Sequence, residues 1–183
     1  FQIANLGAVG LFNDTAVILY ADFPLYSLNP LSLIKLRELG FQRQTLSPED
    51  DKENLQKLLT DDTDMILYQD TPLFTSEACV WANMKSICPG IDQCDFDKMA
   101  LENEYRDRFT AINEACRTVV INENPFSIIH LMQIFLEAGH RDFRIDLCYQ
   151  DYTPEKIKEI LSGIQSGKKV KSSTIGNFER GLL

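Results

Sequence analysis

One unit recurs four times along this chain and limits what it can fold into: a short apolar run, a polar residue followed by proline, then a segment of helical periodicity. Residues 17–20 precede Asn29-Pro30 and a helix carrying Leu31, Leu33, Ile34 and Leu36 up to Gly40. Residues 41–46 precede Ser47-Pro48 and a helix with Leu55, Leu58 and Leu59. Residues 118–121 precede Asn124-Pro125 and a helix with Ile128, Ile129, Met132, Phe135 and Leu136 up to Gly139. Residues 143–147 precede Thr153-Pro154 and a helix with Ile157, Ile160, Leu161 and Ile164 up to Gly167. Asn, Ser or Thr accepts a bond from an orphan N–H at a helix start, and proline fits the first helical position. Glycine supplies the left-handed residue that ends a helix.

Strands alternating with helices over short loops imply parallel strands joined by helical crossovers. Two further strands, residues 1–5 and 65–68, bring the number to about six. A closed eight-stranded barrel takes about 250 residues, and this chain has 183. The expected fold is therefore α/β: an incomplete, TIM-barrel-like (β/α) barrel, or an open doubly wound sheet. No G-x-G-x-x-G follows a strand, which weakens the dinucleotide-binding version. We read residues 1–183 as a single α/β domain in which residues 71–116 interrupt the strand-proline-helix rhythm. Long insertions of this kind are functional, or are ordered by something other than a core.

Four of the five cysteines fall in or at the end of that interruption: Cys79, Cys88, Cys94 and Cys116, with Cys148 apart. Thiolates are the soft ligands of zinc and of iron-sulfur centres, and four is the number either takes. The tight cysteine pair of structural zinc sites is missing, which tilts the reading away from zinc; the tight ferredoxin runs are missing too. Spacing alone leaves a metal site and ordinary packing both open.

Charge and hydropathy narrow the partners. A formal net charge of -9 argues against strong non-specific nucleic-acid binding, and the lysines near the end (Lys168, Lys169, Lys171, with Arg180) read as a solvated face. No apolar run reaches the roughly 18 residues of a membrane helix. The chain opens on strand-like sequence without a basic, signal-like start, and its cysteine count is odd, so it reads as a soluble cytoplasmic protein with reduced or metal-bound thiols.

Several phrases occur in an order that resembles the collagenase-like peptidase family U-32. They are residues 2–7 (Gln-Ile-Ala-Asn-Leu-Gly), 45–49 (Thr-Leu-Ser-Pro-Glu), 76–79 (Ser-Glu-Ala-Cys), the later cysteines with 122–125 (Asn-Glu-Asn-Pro), 143–146 (Phe-Arg-Ile-Asp) and 176–181 (Gly-Asn-Phe-Glu-Arg-Gly). The resemblance covers nearly the whole chain and matches the second half of the family's barrel-like domain; the family's usual opening strands are missing, which implies a fragment or a truncated form. It implies a four-iron, four-sulfur cluster on Cys79, Cys88, Cys94 and Cys116, and chemistry of the kind known in better understood relatives, hydroxylation of RNA bases or of small aromatic quinone precursors. The family label implies a protease instead. A non-catalytic, metal-stabilised module that completes an assembly with a second chain is the remaining alternative. Cys148 does not match the ligand set and reads as a small core or strand residue.

The residues themselves give peptide hydrolysis little support. There is no His-Glu-x-x-His and no G-x-S-x-G, and His130 and His140 read as packing or helix-end residues. Polar residues at strand ends are the better candidates: Asp22, Asn29, Ser47, Glu49, Asn122, Asn124, Arg144 and Asp146. Asn29, Ser47 and Asn124 are helix caps in the first place, and Glu49 suits a first helical turn. Arg144 and Asp146, two apart on a strand, face the same side and form either a buried ion pair or a substrate clamp. Glu77, two residues before Cys79, reads as an acid/base, a group supporting the metal ligands, or a solvated carboxylate. The candidate catalytic set is thus Arg144, Asp146 and Glu77.

Overall fold

The computed structural model describes residues 1–12 and 16–181. In chain order its elements are β1 (Gln2–Ile3), β2 (Leu19–Ala21), α1 (Pro30–Glu38), β3 (Phe41–Leu46), α2 (Lys52–Leu58), β4 (Thr63–Gln69), β5 (Pro72–Ser76), α3 (Val80–Lys85), α4 (Ile91–Cys94), β6 (Lys98–Glu102), β7 (Arg108–Glu114), β8 (Arg117–Asn122), β9 (Phe126–Ser127), α5 (Met132–Glu137), β10 (Phe143–Asp146) and α6 (Pro154–Ser166). They divide into two compact units: one from Phe1–Gln69, Phe126–Asp146 and the stretch from Tyr152 onward, the other from Asp70–Pro125 and Leu147–Asp151.

The first unit is α/β. Its sheet runs β1-β2-β3-β4-β10, every neighbouring pair parallel, and curls into half of a barrel wall, with β9 antiparallel on β4. β4 is buried continuously from Met65 to Gln69, the signature of a central parallel strand covered on both faces. The core gathers Leu46, Met65 and Leu67 from the strands with Leu33, Leu55, Leu58, Phe135 and Ile160 from the helices. The crossover from β3 to β4 is tied to α1 by a two-pronged ion pair, Arg37 Nε and Nη2 donating to the Asp62 carboxylate at 2.6 and 2.7 Å. That guanidinium, helped by the Thr60 hydroxyl and opposed by burial, holds the Asp62 pKa at about 2.

Two helix starts follow the predicted chemistry. Asn29 Oδ1 accepts from Ser32 N at 2.9 Å while Ser32 Oγ accepts from Asn29 N, a reciprocal capping box. Thr153 Oγ1 accepts from Lys156 N, and Pro154 opens α6. The glycine stops hold as well: Gly40, Gly139 and Gly167 all have φ between 66° and 92°.

The other two starts differ. After Ser47-Pro48 the helix waits until Lys52, because Asp51 offers a charged acceptor to two orphan donors, Glu53 N and Asn54 N, both at 2.9 Å. Ser47 Oγ accepts from Glu49 N instead, so Ser47 is no cap and Glu49 lies outside the helix. After Asn124-Pro125 the chain enters β9, and α5 starts only beyond a 3-10 turn at Ile129–Leu131 with no side-chain cap. Asn124 therefore caps nothing; its own N–H donates to Asn122 Oδ1.

The apolar run at 118–121 is a strand, yet it does not join the parallel sheet. It is part of β8, antiparallel to both β5 and β7 in the second unit. An apolar run specifies a buried strand without specifying its partner, so periodicity could not make this distinction. The second unit is a four-stranded antiparallel sheet of order β5-β8-β7-β6 with a small core of Ile112, Val119 and Ile121 under Tyr149. The segment carrying Tyr149 is bound by the Asp70 carboxylate, which accepts from Tyr149 N and Gln150 N at 3.1 and 3.0 Å, and by the Lys98–Asp151 ion pair at 2.8 Å. Among the described residues no helix is long and apolar enough to cross a membrane.

Candidate functional site

The second unit brings the cysteines of the interruption towards one another. Cys79 sits just before α3, where a single hydroxyl from β8 staples the backbone on both sides of it. Thr118 Oγ1 accepts from Val80 N at 2.9 Å and donates to Ala78 O at 2.8 Å. Cys94 is the last residue of α4 and is only 1 % exposed. The stretch behind it is laid along β7 by main-chain bonds, Phe96 N to Asn113 O at 2.6 Å and Asn113 N to Asp97 O at 3.0 Å. Cys88 is exposed in the link between α3 and α4. Cys116 is the second residue of the two-residue turn joining β7 to β8, and its exposed thiol follows Ala115, whose N–H donates to Asp95 Oδ1.

The backbone around these residues is unusual. Ala115 and Cys116 have φ of 49° and 65°, the left-handed pair of a type I′ turn, which normally takes Asn-Gly. Ser86 and Phe96, two residues from Cys88 and Cys94, are left-handed as well, at 55° and 62°. Each such residue costs on the order of 1 kcal/mol or more in the absence of glycine. Strain of this kind, gathered around three of the four cysteines, is held in place by their surroundings.

Between Cys94 and Cys79 lies the fully buried carboxamide of Asn113. Its Nδ2 donates to Cys94 Sγ and to Cys94 O, both at 3.0 Å, while its Oδ1 faces the Cys79 thiol at 3.9 Å. Burial raises the pKa of Cys94, and the thiols of Cys79, Cys88 and Cys116 raise it further against the opposing Asn113 bond. All three are thus within electrostatic reach of Cys94. Cys148 is exposed beyond the end of β10, which corrects its reading as a core or strand residue; it stands beside Tyr149, whose phenol is pushed up by burial, Glu114 and Cys148.

Among the described residues no three of His, Cys, Asp and Glu stand in a metal-holding arrangement. The Cys94 thiol donates to Gly90 O at 3.2 Å, and the Cys79 thiol turns to Asn113. A site of this kind is rarely preformed without its metal. In number and softness the donors fit a thiolate-bound centre, zinc or iron-sulfur.

The first unit carries a separate polar cluster on the inner face of its curled sheet. Arg144 Nε donates to Asp146 Oδ1 at 2.7 Å and its Nη1 to Asp22 Oδ1 at 2.8 Å. Asp146 is held on its other oxygen by Gln69 Nε2 at 3.0 Å. Of the two readings of Arg144 and Asp146, the structure has the ion pair, widened to a triad by Asp22. Beside it opens a cleft of about 280 Å³ lined by Tyr20, Arg43, Thr45, Asp64 and Arg144. Arg43 pairs with Asp142 at 3.0 Å, while Asp64 accepts from Thr45 Oγ1 at 2.9 Å. Burial raises the Asp64 pKa against the Thr45 bond and the two arginine charges.

Glu77 lies in the other unit and is exposed. His140 is buried, its Nε2 within 2.8 Å of Asp142 O and its ring edge-on to Phe143, a packing role; His130 sits in the 3-10 turn before α5, its buried Nδ1 without a hydrogen-bond partner among the described residues. Sequence reasoning missed Asp64 and Asn113. Asp64 is the second residue of β4 and Asn113 the last but one of β7, and a lone polar residue there has no spacing that marks it.

No family model matches the chain, and neither a curated protein nor a solved structure matches it.

Proposed function

We propose that this chain is part of an iron-sulfur enzyme of the collagenase-like peptidase U-32 kind, with Cys79, Cys88, Cys94 and Cys116 as ligands of a four-iron, four-sulfur cluster. On this reading the segment 71–116 is the cluster-bearing insertion, and the curled sheet is part of a TIM-barrel-like wall. Its polar inner face receives an RNA base or a small aromatic substrate for hydroxylation. The observation that supports the reading is the pairing of the Cys94 and Cys79 sulfurs on the one buried carboxamide of Asn113, with strained turns beside Cys88, Cys94 and Cys116.

When bound, such a cluster would supply one-electron transfer, since four cysteine ligands leave none of its four irons open. The remaining roles fall to side chains. Asp64, its carboxyl pushed upward by burial, is suited to hold a proton in the cleft, with Tyr20 as an aromatic wall. Arg144 is occupied by Asp22 and Asp146, so it orients those carboxylates rather than clamping a substrate itself. Glu77 is placed near the cysteines by sequence and supports the ligand Cys79. β1 and β10 end the sheet among the described residues.

Anaerobic purification with iron and sulfide analysis tests the proposal. About four irons and four sulfides per chain are expected, lost when any of Cys79, Cys88, Cys94 or Cys116 is replaced by serine and kept in Cys148→Ser. Stoichiometric zinc without visible absorption sinks the iron-sulfur assignment. Gelatin cleavage that survives loss of the cysteines and fails on changing another named residue returns the protease reading.

A further inference from the structure

Resting on that reading of the cysteine site, we propose that Asn113 is its positioning residue. Its carboxamide sets the approach of the Cys94 and Cys79 sulfurs and keeps an N–H directed at the Cys94 sulfur after metal has replaced the protons.

Asn113 lies on β7, whereas Cys94 ends α4 and Cys79 precedes α3. The residue commits every polar group it has to this corner. Its main chain binds the strip behind Cys94 through Phe96 N and Asp97 O. Its amide nitrogen has two hydrogens and two acceptors at 3.0 Å, Cys94 O and Cys94 Sγ. The carbonyl fixes which end of the amide is the nitrogen, because only an N–H can serve it. The second hydrogen is thereby aimed at sulfur, and Oδ1 is aimed at Cys79. With 0 % of its surface exposed, Asn113 has no water to fall back on, and an apolar replacement leaves the Cys94 carbonyl with only the Asp97 N–H, at 3.2 Å, and the Cys94 sulfur without its amide donor.

The bonds respond differently to ionisation. As a thiolate, Cys94 no longer donates to Gly90 O and Cys79 no longer donates to Asn113 Oδ1, since both bonds use the thiol proton. The bond from Asn113 Nδ2 to Cys94 Sγ needs only the sulfur lone pair, survives, and becomes charge-assisted. Donors to ligand sulfurs tune metal affinity and cluster potential.

The test uses cobalt(II) with the full reduced chain under anaerobic conditions, read by the thiolate-to-cobalt absorption band. Asn113→Ala and Asn113→Asp are expected to weaken cobalt binding by about 10- to 100-fold relative to wild type. Far-UV circular dichroism and melting of the metal-free variants report whether they fold. A measurement on the wild type does not depend on them: on zinc titration the Asn113 side-chain amide protons should shift and exchange more slowly. Equal cobalt affinity in folded variants, or an unmoved Asn113 amide signal, overturns the inference. Thiolate-bound cobalt and zinc that depend on Asn113, in a protein that assembles no iron-sulfur centre, leave this inference standing and sink the cluster. A wild-type chain that takes up no metal overturns both.

Discussion

Arg144 has one guanidinium shared between two carboxylates, with exposures of 22 % for the arginine side chain and 17 % and 12 % for Asp22 and Asp146. Burial opposes its charge, and the bonds to Asp146 and Asp22 outweigh that opposition, so its pKa moves upward. A pair this enclosed adds little over an apolar replacement of the whole set, yet breaking it strands two negative charges. Arg144→Leu should therefore destabilise the protein by about 3 kcal/mol in urea unfolding. Arg144→Lys, which keeps the charge and loses the fork, should cost less, about 1–2 kcal/mol. Equal losses for the two variants would mean that the fork carries nothing. Two of the three members of this triad were legible in the sequence, because Arg144 and Asp146 are two apart on one strand. Asp22 was recognisable only as a strand-end polar residue; its bond to Arg144 spans 122 positions, and sheet order alone creates it.

At the scale of elements, local chemistry was readable where one residue decides and unreadable where neighbours compete. Asn29, Thr153 and the glycine stops act through backbone groups within a few residues, so sequence suffices for them. Ser47 lost its helix to Asp51, a stronger acceptor a few residues on, and Asn124 lost its helix to the β9 pairing with β4. The turn between β7 and β8 went unmarked for the opposite reason: Ala-Cys is the wrong chemistry for its left-handed pair of residues. On the proposed cluster reading, this turn keeps its cysteine for the thiol rather than for local fit. Accordingly, Ala115→Asn should stabilise the metal-free protein by roughly 0.5–1 kcal/mol and leave metal uptake intact. Cys116→Gly should stabilise it by a similar amount and reduce metal uptake. Melting curves and cobalt titration on the same samples read both effects; a Cys116→Gly protein that binds metal like wild type removes Cys116 from the ligand set.

The molecule as a whole sets a large core against a small one. The first unit packs side chains from five parallel strands and their helices, and three of the four strand-proline-helix units, those whose strands lie in this sheet, made that α/β character legible. The antiparallel sheet was hidden because its strands are short or mixed: β5 buries no residue fully, β6 merely alternates exposed with half-buried positions, and β8 passes for a parallel strand. Its core of three buried residues is modest for a sheet of four strands that also carries strained turns. Local stability differs between parts of one chain, and metal-binding free energy becomes folding free energy where the ligands organise a segment. Loading the cysteines should then raise protection unequally. In hydrogen exchange read by mass spectrometry, amides of α3, α4 and the β7–β8 turn should slow markedly on metal binding, whereas β3, β4 and α6 should exchange as before. Uniform slowing would mean that the two units unfold as one, and no slowing near Cys79, Cys94 and Cys116 would mean that metal, if bound, is not ordering this segment.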